Sequence, residues 1–386
     1  MPRVARGLIA AVAFAVPLGA QTATLRTASP ADVHMSAAVL DSGVALYREA
    51  VERADLAGAV LFVARHGKVV LHEAIGWRDL DARLPMERNT MFRMASNTKP
   101  VVATAVAMLV ERGRLRYEDS VFRYIPSFDT EKSRGITIAQ LLSHTSGFRI
   151  NTLFLQPLTA KSAAHPDAPT LQLEAARFAT VGPREPPGAS YSYSNPGYNT
   201  LGAIIEIAAR QPLDVFLREE IYARLGMSDT YHMETAEKLD GKLSRMGAVY
   251  YRRDSTTRKW IAGWKPGDEP TVPFVRASGG LISTAWDYAL FLQTFLNGGS
   301  YGDVRIISHE SVKRMTTRHT PIDGPAYGYG WMLDSAGVYA HSGSDGTFAW
   351  VDPARGIIGM VLTQTPRGRN PRQRFVDLVN RAVVEP

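Results

Sequence analysis

The chain has 386 residues, 45% hydrophobic and 21% charged, which allows a large core in one big domain or two smaller ones and excludes a fibrous or disordered class. Its net charge of +7 arises from Lys and Arg scattered among acids, so no dense basic patch for nucleic acid is present. With no cysteine, disulfides, thiolate chemistry and cysteine metal sites are excluded.

Residues 1–20 carry Arg3 and Arg6, then an apolar run from Leu8 to Leu18, then Gly19 and Ala20. The pattern predicts a secretory signal peptide cut after Ala20, although Leu18 is unusual three residues before the cut; a buried N-terminal helix is the alternative. The apolar run is too short to span a bilayer and no second long one follows. The mature protein is therefore expected to be periplasmic or secreted, with no stable membrane insertion. Residues 21–35, rich in Thr, Ala, Ser and Pro, read as a flexible leader.

A helix is predicted over VLDSGVALYREAVERA, followed by strands GAVLFVAR and VVLHEAIGW around a tight turn at His66-Gly67-Lys68. The next helix runs from Ala95 to Arg112 and stops at Gly113. Helical stretches separated by Pro- and Gly-rich loops then fill residues 118–279, among them ITIAQLLSHTSGF, LEAARFAT, YNTLGAIIEIAARQ and PLDVFLREEIYARLGM. GGLISTAWDYALFLQTFLNGG gives a helix with Ser283 or Thr284 as N-cap and Gly298 as its stop. Strands follow at YGYGWML, VYAHSG, TFAWV and IIGMVLTQ, with a turn over 352–356, and RQRFVDLVNRAVV closes the chain as an amphipathic helix. The expected fold class is α+β: an antiparallel β-sheet flanked by helices and built from both chain ends (36–117 plus 280–386), with an inserted mostly α-helical domain (118–279). A cleft between the parts would suit a small-molecule substrate. No internal repeat supports a solenoid.

Within FRMASNTKPVVATAVAMLVERGRL, Ser96 and Lys99 lie three apart and share a helix face. A serine needs a neighbour to take its proton, and a lysine serves if burial and nearby positive charge depress its pKa. A helix N-terminus also stabilises developing negative charge. Alone, the pair is better explained by a Ser that caps a helix. Tyr193-Ser194-Asn195, 97 residues after Ser96, would alone pass for turn residues, with Tyr191 as good a candidate as Tyr193. His341-Ser342-Gly343 is bland by itself.

Taken together and in this order, these segments resemble the three motifs of class C serine β-lactamases, the related DD-peptidases and the β-lactamase-like carboxylesterases (family VIII). LLSHTSG at 141–147, GGLISTAWDYALF at 279–291 and GYGW at 328–331 add to a resemblance covering roughly residues 40–380. It implies Ser96 as nucleophile and Lys99 as its base. Tyr193 would be a phenol ionised between two cations and acting as a base, and Asn195 would bond Lys99 and an acyl carbonyl. Gly343 would admit substrate to the third-motif strand, where His341 also binds it, and Ser344 N–H would form the oxyanion hole with that of Ser96.

His341 stands where β-lactamases and DD-peptidases usually carry Lys, and a mostly neutral His is a weaker anchor for a carboxylate. That departure favours a carboxylesterase acting on short-chain esters. A β-lactamase, or a D-amino-acid peptidase or amidase, is the alternative, and a non-catalytic acyl-binding sensor is a third class. The expected partner is a small-molecule ester or amide, with no cofactor. The histidines show no metal-ligand spacing. Gly298-Gly299-Ser300-Tyr301-Gly302 fits G-x-S-x-G but follows a helix and precedes VRIIS, the reverse of the strand-to-helix context that motif needs, so Ser300 is expected in a loop. His144 is expected to fix a turn by hydrogen bonding.

Overall fold

The computed structural model describes residues 22–257, 259–270 and 272–384, so the expected signal peptide lies outside the described residues. The leader, expected to be flexible, is instead tied down. Strand β1 (Arg26–Thr27) pairs in parallel with Lys68 and Val69, and Leu25 and Val33 are buried. Two apolar anchors and a free sheet edge outweigh a composition that resembles a linker.

Helix α1 (Ala37–Glu52) starts at Ser36, whose hydroxyl accepts from Val39 N–H, and buries Leu40, Val44 and Tyr47 along one face. Strands β2 (Gly58–Arg65) and β3 (Lys68–Asp79) form a hairpin whose two turn residues, His66 and Gly67, have φ of 50° and 76°. This is the left-handed pair that a two-residue hairpin turn requires. Helix α2 (Thr98–Glu111) is buried without interruption from Thr98 to Leu109, as expected of a helix apolar all round.

The middle of the chain supplies α3 (Ile138–Leu142), α4 (Leu171–Val181) and α5 (Asn195–Ala209), followed by a helical stretch from Leu213 to Leu225 that is π-wound over Arg218–Tyr222. Residues 231–264, within the segment expected to be mostly helical, carry short strands of small separate sheets and pack back against the sheet-bearing part instead. Tyr231–His232 joins Leu281–Ser283 and Phe92–Arg93 in a small sheet, Leu80 N–H donates to the Tyr250 hydroxyl (2.7 Å), and Trp260 Nε1 donates to Ala54 O (3.0 Å).

Helix α6 (Ala285–Leu296) is capped by Thr284, and Ser283 belongs to the strand before it. Strands β4 (Met332–Leu333), β5 (Tyr339–Ser342), β6 (Phe348–Asp352) and β7 (Ile357–Thr363) precede helix α7 (Arg372–Ala382). Only the end of YGYGWML is strand. Gly330, at φ 84°, passes so close to α2 that a Cβ would stand 3.0 Å from Lys99 O and Pro100 Cα. Ser300, expected in a loop, lies instead in a two-residue strand paired with Val304–Arg305.

The main sheet runs β1-β3-β2-β7-β6-β5-β4, antiparallel except at β1/β3. Along β2, Val60, Phe62 and Ala64 enter the core shared with α2 and α6, while Ala59, Leu61 and Val63 enter a second core with α1 and α7. Burial on both faces explains why GAVLFVAR is apolar throughout rather than alternating. Helix α2 thus runs through the larger core with its first turn beside the end of β5.

Candidate active site

Ser96 sits in a 3-10 turn (Ala95–Asn97) that leads into α2. It is the one residue between 91 and 109 that is not buried, so the serine side chain is where this core opens to solvent. Its hydroxyl does not cap the helix; Lys99 Nζ lies 3.1 Å from Ser96 Oγ. Ala95, just before it, holds φ at 47°, a left-handed conformation that costs a non-glycine residue about 1–3 kcal/mol and persists only where its surroundings impose it. They do so here. Thr98 Oγ1 donates to Ala95 O (2.6 Å), Asn97 Nδ2 to Thr347 Oγ1 (2.9 Å), Thr347 Oγ1 to Met94 O (3.0 Å), and Tyr288 OH to Asn97 O (2.9 Å).

Lys99 is fully buried, and its Nζ also approaches Asn195 Oδ1 (2.8 Å) and Ser278 O (2.7 Å). Both are oxygens that only accept. A neutral amine has two N–H bonds and one lone pair. With the N–H bonds directed to Asn195 and Ser278, the lone pair is left for the Ser96 hydroxyl proton. Burial, and secondly the charge of Arg276, push the Lys99 pKa well below the usual lysine range and favour this neutral form.

Tyr193 and Asn195 reach the site from the start of α5, where the Ser194 hydroxyl caps the helix by accepting from Gly197 N–H (3.0 Å). Lys99 Nζ lies 4.7 Å from the centre of the Tyr193 ring, and the Tyr193 hydroxyl lies beside Ser96. Tyr191, the rival candidate, packs instead against His144 and Tyr327 (5.8 Å each) and beside Gly324. The expectation of an ionised Tyr193 between two cations is overturned. Burial raises its pKa, the nearby Ser96 hydroxyl offsets only part of this, and the second cation is missing.

At the place of that second cation stands His341, which the sequence already marked as mostly neutral. Its side chain shares the inward face of β5 with Tyr339 and is buried. Nδ1 lies 2.9 Å from the Ser342 carbonyl, which only accepts, so Nδ1 carries the proton; Nε2, 3.0 Å from Tyr327 OH, then accepts from it. Burial is the largest cause that lowers the His341 pKa, to about 3. Both ring nitrogens are satisfied internally, so His341 is a neutral backing residue, not the substrate contact that was expected. Gly343 is likewise corrected. A Cβ there would overlap Thr347 Oγ1 and Met94 O and stand 3.2 Å from Ala95 Cβ, so the glycine lets the end of β5 approach the Ser96 turn. The close approach is of protein to protein. Ser344 follows, exposed, and among the described residues neither its N–H nor that of Ser96 donates to a protein acceptor. Two free N–H groups on adjoining turns are what an oxyanion hole needs.

The family model for Beta-lactamase matches residues 44–381. The chain belongs to the β-lactamase family. This β-lactamase-fold hydrolase is 31% identical over 366 residues to a Mycobacterium tuberculosis protein, with 84% of this chain and 90% of that one covered. It is 28% identical over 344 residues to an Escherichia coli K12 protein whose name proposes it as a D-alanyl-D-alanine carboxypeptidase, covering 79% and 78%. Among solved structures, EstCE1, described as a hydrolase with promiscuous acyltransferase activity, superposes with a TM-score of 0.72 at 22% identity, covering 90% of this chain and 98% of that one.

Sequence reading missed the residues that hold this β-lactamase-fold site together. Thr347 and Asn97 tie the third motif to the Ser96 turn, Ser278 orients Lys99 through its carbonyl, and Tyr327 satisfies Nε2 of His341. Only His341 left a usable signal. In VYAHSG it lies two residues after Tyr339, on the same face of the strand.

Proposed function

We propose that this β-lactamase-fold hydrolase cleaves short-chain carboxylic esters through an acyl-enzyme on Ser96. Neutral Lys99 takes the Ser96 proton as Oγ attacks the ester carbonyl. The N–H groups of Ser96 and Ser344 receive the negative charge that develops on the carbonyl oxygen. Tyr193, kept protonated by burial and placed beside Ser96, gives its proton to the departing alkoxide and is replenished from the Lys99 ammonium. Water then enters in place of the alcohol, and the same groups run in reverse to release the acid. Asn195 holds the Lys99 amine throughout.

The observation that carries the ester reading is the neutral, internally satisfied His341. It supplies no fixed positive charge for the carboxylate of a β-lactam or a peptide terminus. The second reading, D-peptide hydrolysis, is favoured by the name of the Escherichia coli relative. A periplasmic or secreted location rests on residues 1–20 alone. Assaying purified protein and Ser96→Ala on p-nitrophenyl butyrate, nitrocefin and a D-Ala-D-Ala peptide separates the readings. The ester should be turned over fastest, and only by the protein with Ser96. Faster turnover of nitrocefin or the peptide refutes the ester assignment, and turnover of none favours an acyl-binding sensor.

A further inference from the structure

We infer that His144 is the positioning residue for Tyr193, gripping the backbone on both sides of that tyrosine and stacking on its ring. The inference rests on the reading of Tyr193 as the proton carrier for Ser96.

His144 follows α3 in LLSHTSG and adopts φ 59°, a left-handed conformation uncommon for histidine. This turns its carbonyl and its ring toward the same strand of chain. The carbonyl accepts from Ser192 N–H (2.8 Å) and Nδ1 accepts from Ser194 N–H (3.0 Å). The two amides that flank Tyr193 are therefore bound by one residue. Its ring lies 4.4 Å from the Tyr193 ring at an interplanar angle of 40°, which fixes the tilt of the phenol as well as its place.

Because Nδ1 accepts, the proton of the neutral ring sits on Nε2, and that buried N–H has no hydrogen-bond partner among the described residues. The rings of Tyr198 and Tyr327, centred 5.0 and 4.8 Å away, complete its surroundings. A side chain kept only to cap a turn needs neither this ring nor this unsatisfied N–H; Asn would supply the same acceptor. What the ring adds is the contact with Tyr193. The anchor itself is firm, since Tyr198 OH donates to Leu142 O (2.8 Å) and joins α5 to the end of α3. A residue that holds a proton carrier acts by geometry, and a displacement of about 1 Å costs about 100-fold in rate.

The test is a double-mutant cycle on kcat for p-nitrophenyl butyrate, with His144→Ala, Tyr193→Phe and both together. Tyr193→Phe keeps the ring under His144 and removes only the hydroxyl. His144→Ala is expected to lower kcat about 100-fold in the wild type and less than about threefold in the Tyr193→Phe background, with KM nearly unchanged in both. Equal losses in the two backgrounds would make His144 a general structural residue and overturn the inference, as would wild-type kcat in His144→Ala. Wild-type kcat in Tyr193→Phe alone would remove the role of Tyr193 and this inference with it, a failure visible in that single variant. If His144→Ala does not fold, His144→Asn and His144→Gln are the substitutes. Both keep an acceptor and lack the ring, so whichever of them folds takes the place of His144→Ala in the cycle and should lose about tenfold in kcat in the wild type but less than about threefold in the Tyr193→Phe background; equal losses in the two backgrounds overturn the inference.

Discussion

Replacing Lys99 with methionine keeps an unbranched side chain in the same buried channel and removes the amine. Two consequences follow. In the unfolded chain a lysine titrates near 10.4, whereas burial and Arg276 hold the folded value well below that. Between the two values the unfolded state binds the extra proton, so the wild-type protein gains stability as pH rises, by about 1.4 kcal/mol for each pH unit inside the window. Lys99→Met has no such group, and all other titrations are shared by the two proteins. The wild-type advantage over Lys99→Met should therefore climb by about 1.4 kcal/mol per unit through the window that ends near 10.5. The acceptors Asn195 Oδ1 and Ser278 O, left without their donor, cost the variant about 1–3 kcal/mol each; this sets the offset between the two curves and not their divergence. Ester turnover should fall about 100- to 10,000-fold, the usual contribution of a positioned base. Denaturant unfolding of both proteins at pH 7, 8 and 9 measures the divergence. Parallel curves would mean that Lys99 stays charged when folded, and such a lysine could not take the serine proton.

Arg276→Met removes the charge that helps depress Lys99, so the Lys99 pKa rises and the acid limb of the kcat/KM profile should move to higher pH; an unmoved limb counts against Lys99 as the titrating base. His341→Gln keeps a neutral acceptor for Tyr327 and should hold ester kcat/KM within about threefold, since no charge is lost; a fall of about 100-fold would restore His341 as an anchor. Gly343→Ala forces the third-motif turn off Thr347 and Met94. It should lower kcat by about 100-fold and cost about 1–3 kcal/mol of stability in a thermal melt, whereas a neutral result would show that the two turns are not in close contact.

The pairing of Ser96 with Lys99 was legible because i and i+3 on a helix share a face and because the other two motifs follow in order. The sheet was legible for a similar reason: β2 and β7 are apolar throughout, as strands buried on both faces must be. Local pattern failed where partners are distant in sequence. Residues 24–35 have the composition of a linker, and only the edge of β3 and the burial of Leu25 and Val33 give them structure. YGYGWML has the aromatics of a strand, but its glycines serve close packing against α2 and its neighbours, which a strand would not allow. The charge state of Tyr193 and the substrate contact expected of His341 were misjudged because burial, and the bond of His341 to the distant Tyr327, are set by the fold and not by the motif.

The central claim, that Ser96 carries the acyl group, is tested most directly by intact-protein and peptide mass spectrometry after rapid quenching with p-nitrophenyl butyrate in excess. A butyryl adduct should appear on the peptide containing Ser96 and be absent in Ser96→Ala. An adduct on another residue, or undiminished turnover by Ser96→Ala with no adduct, would contradict it.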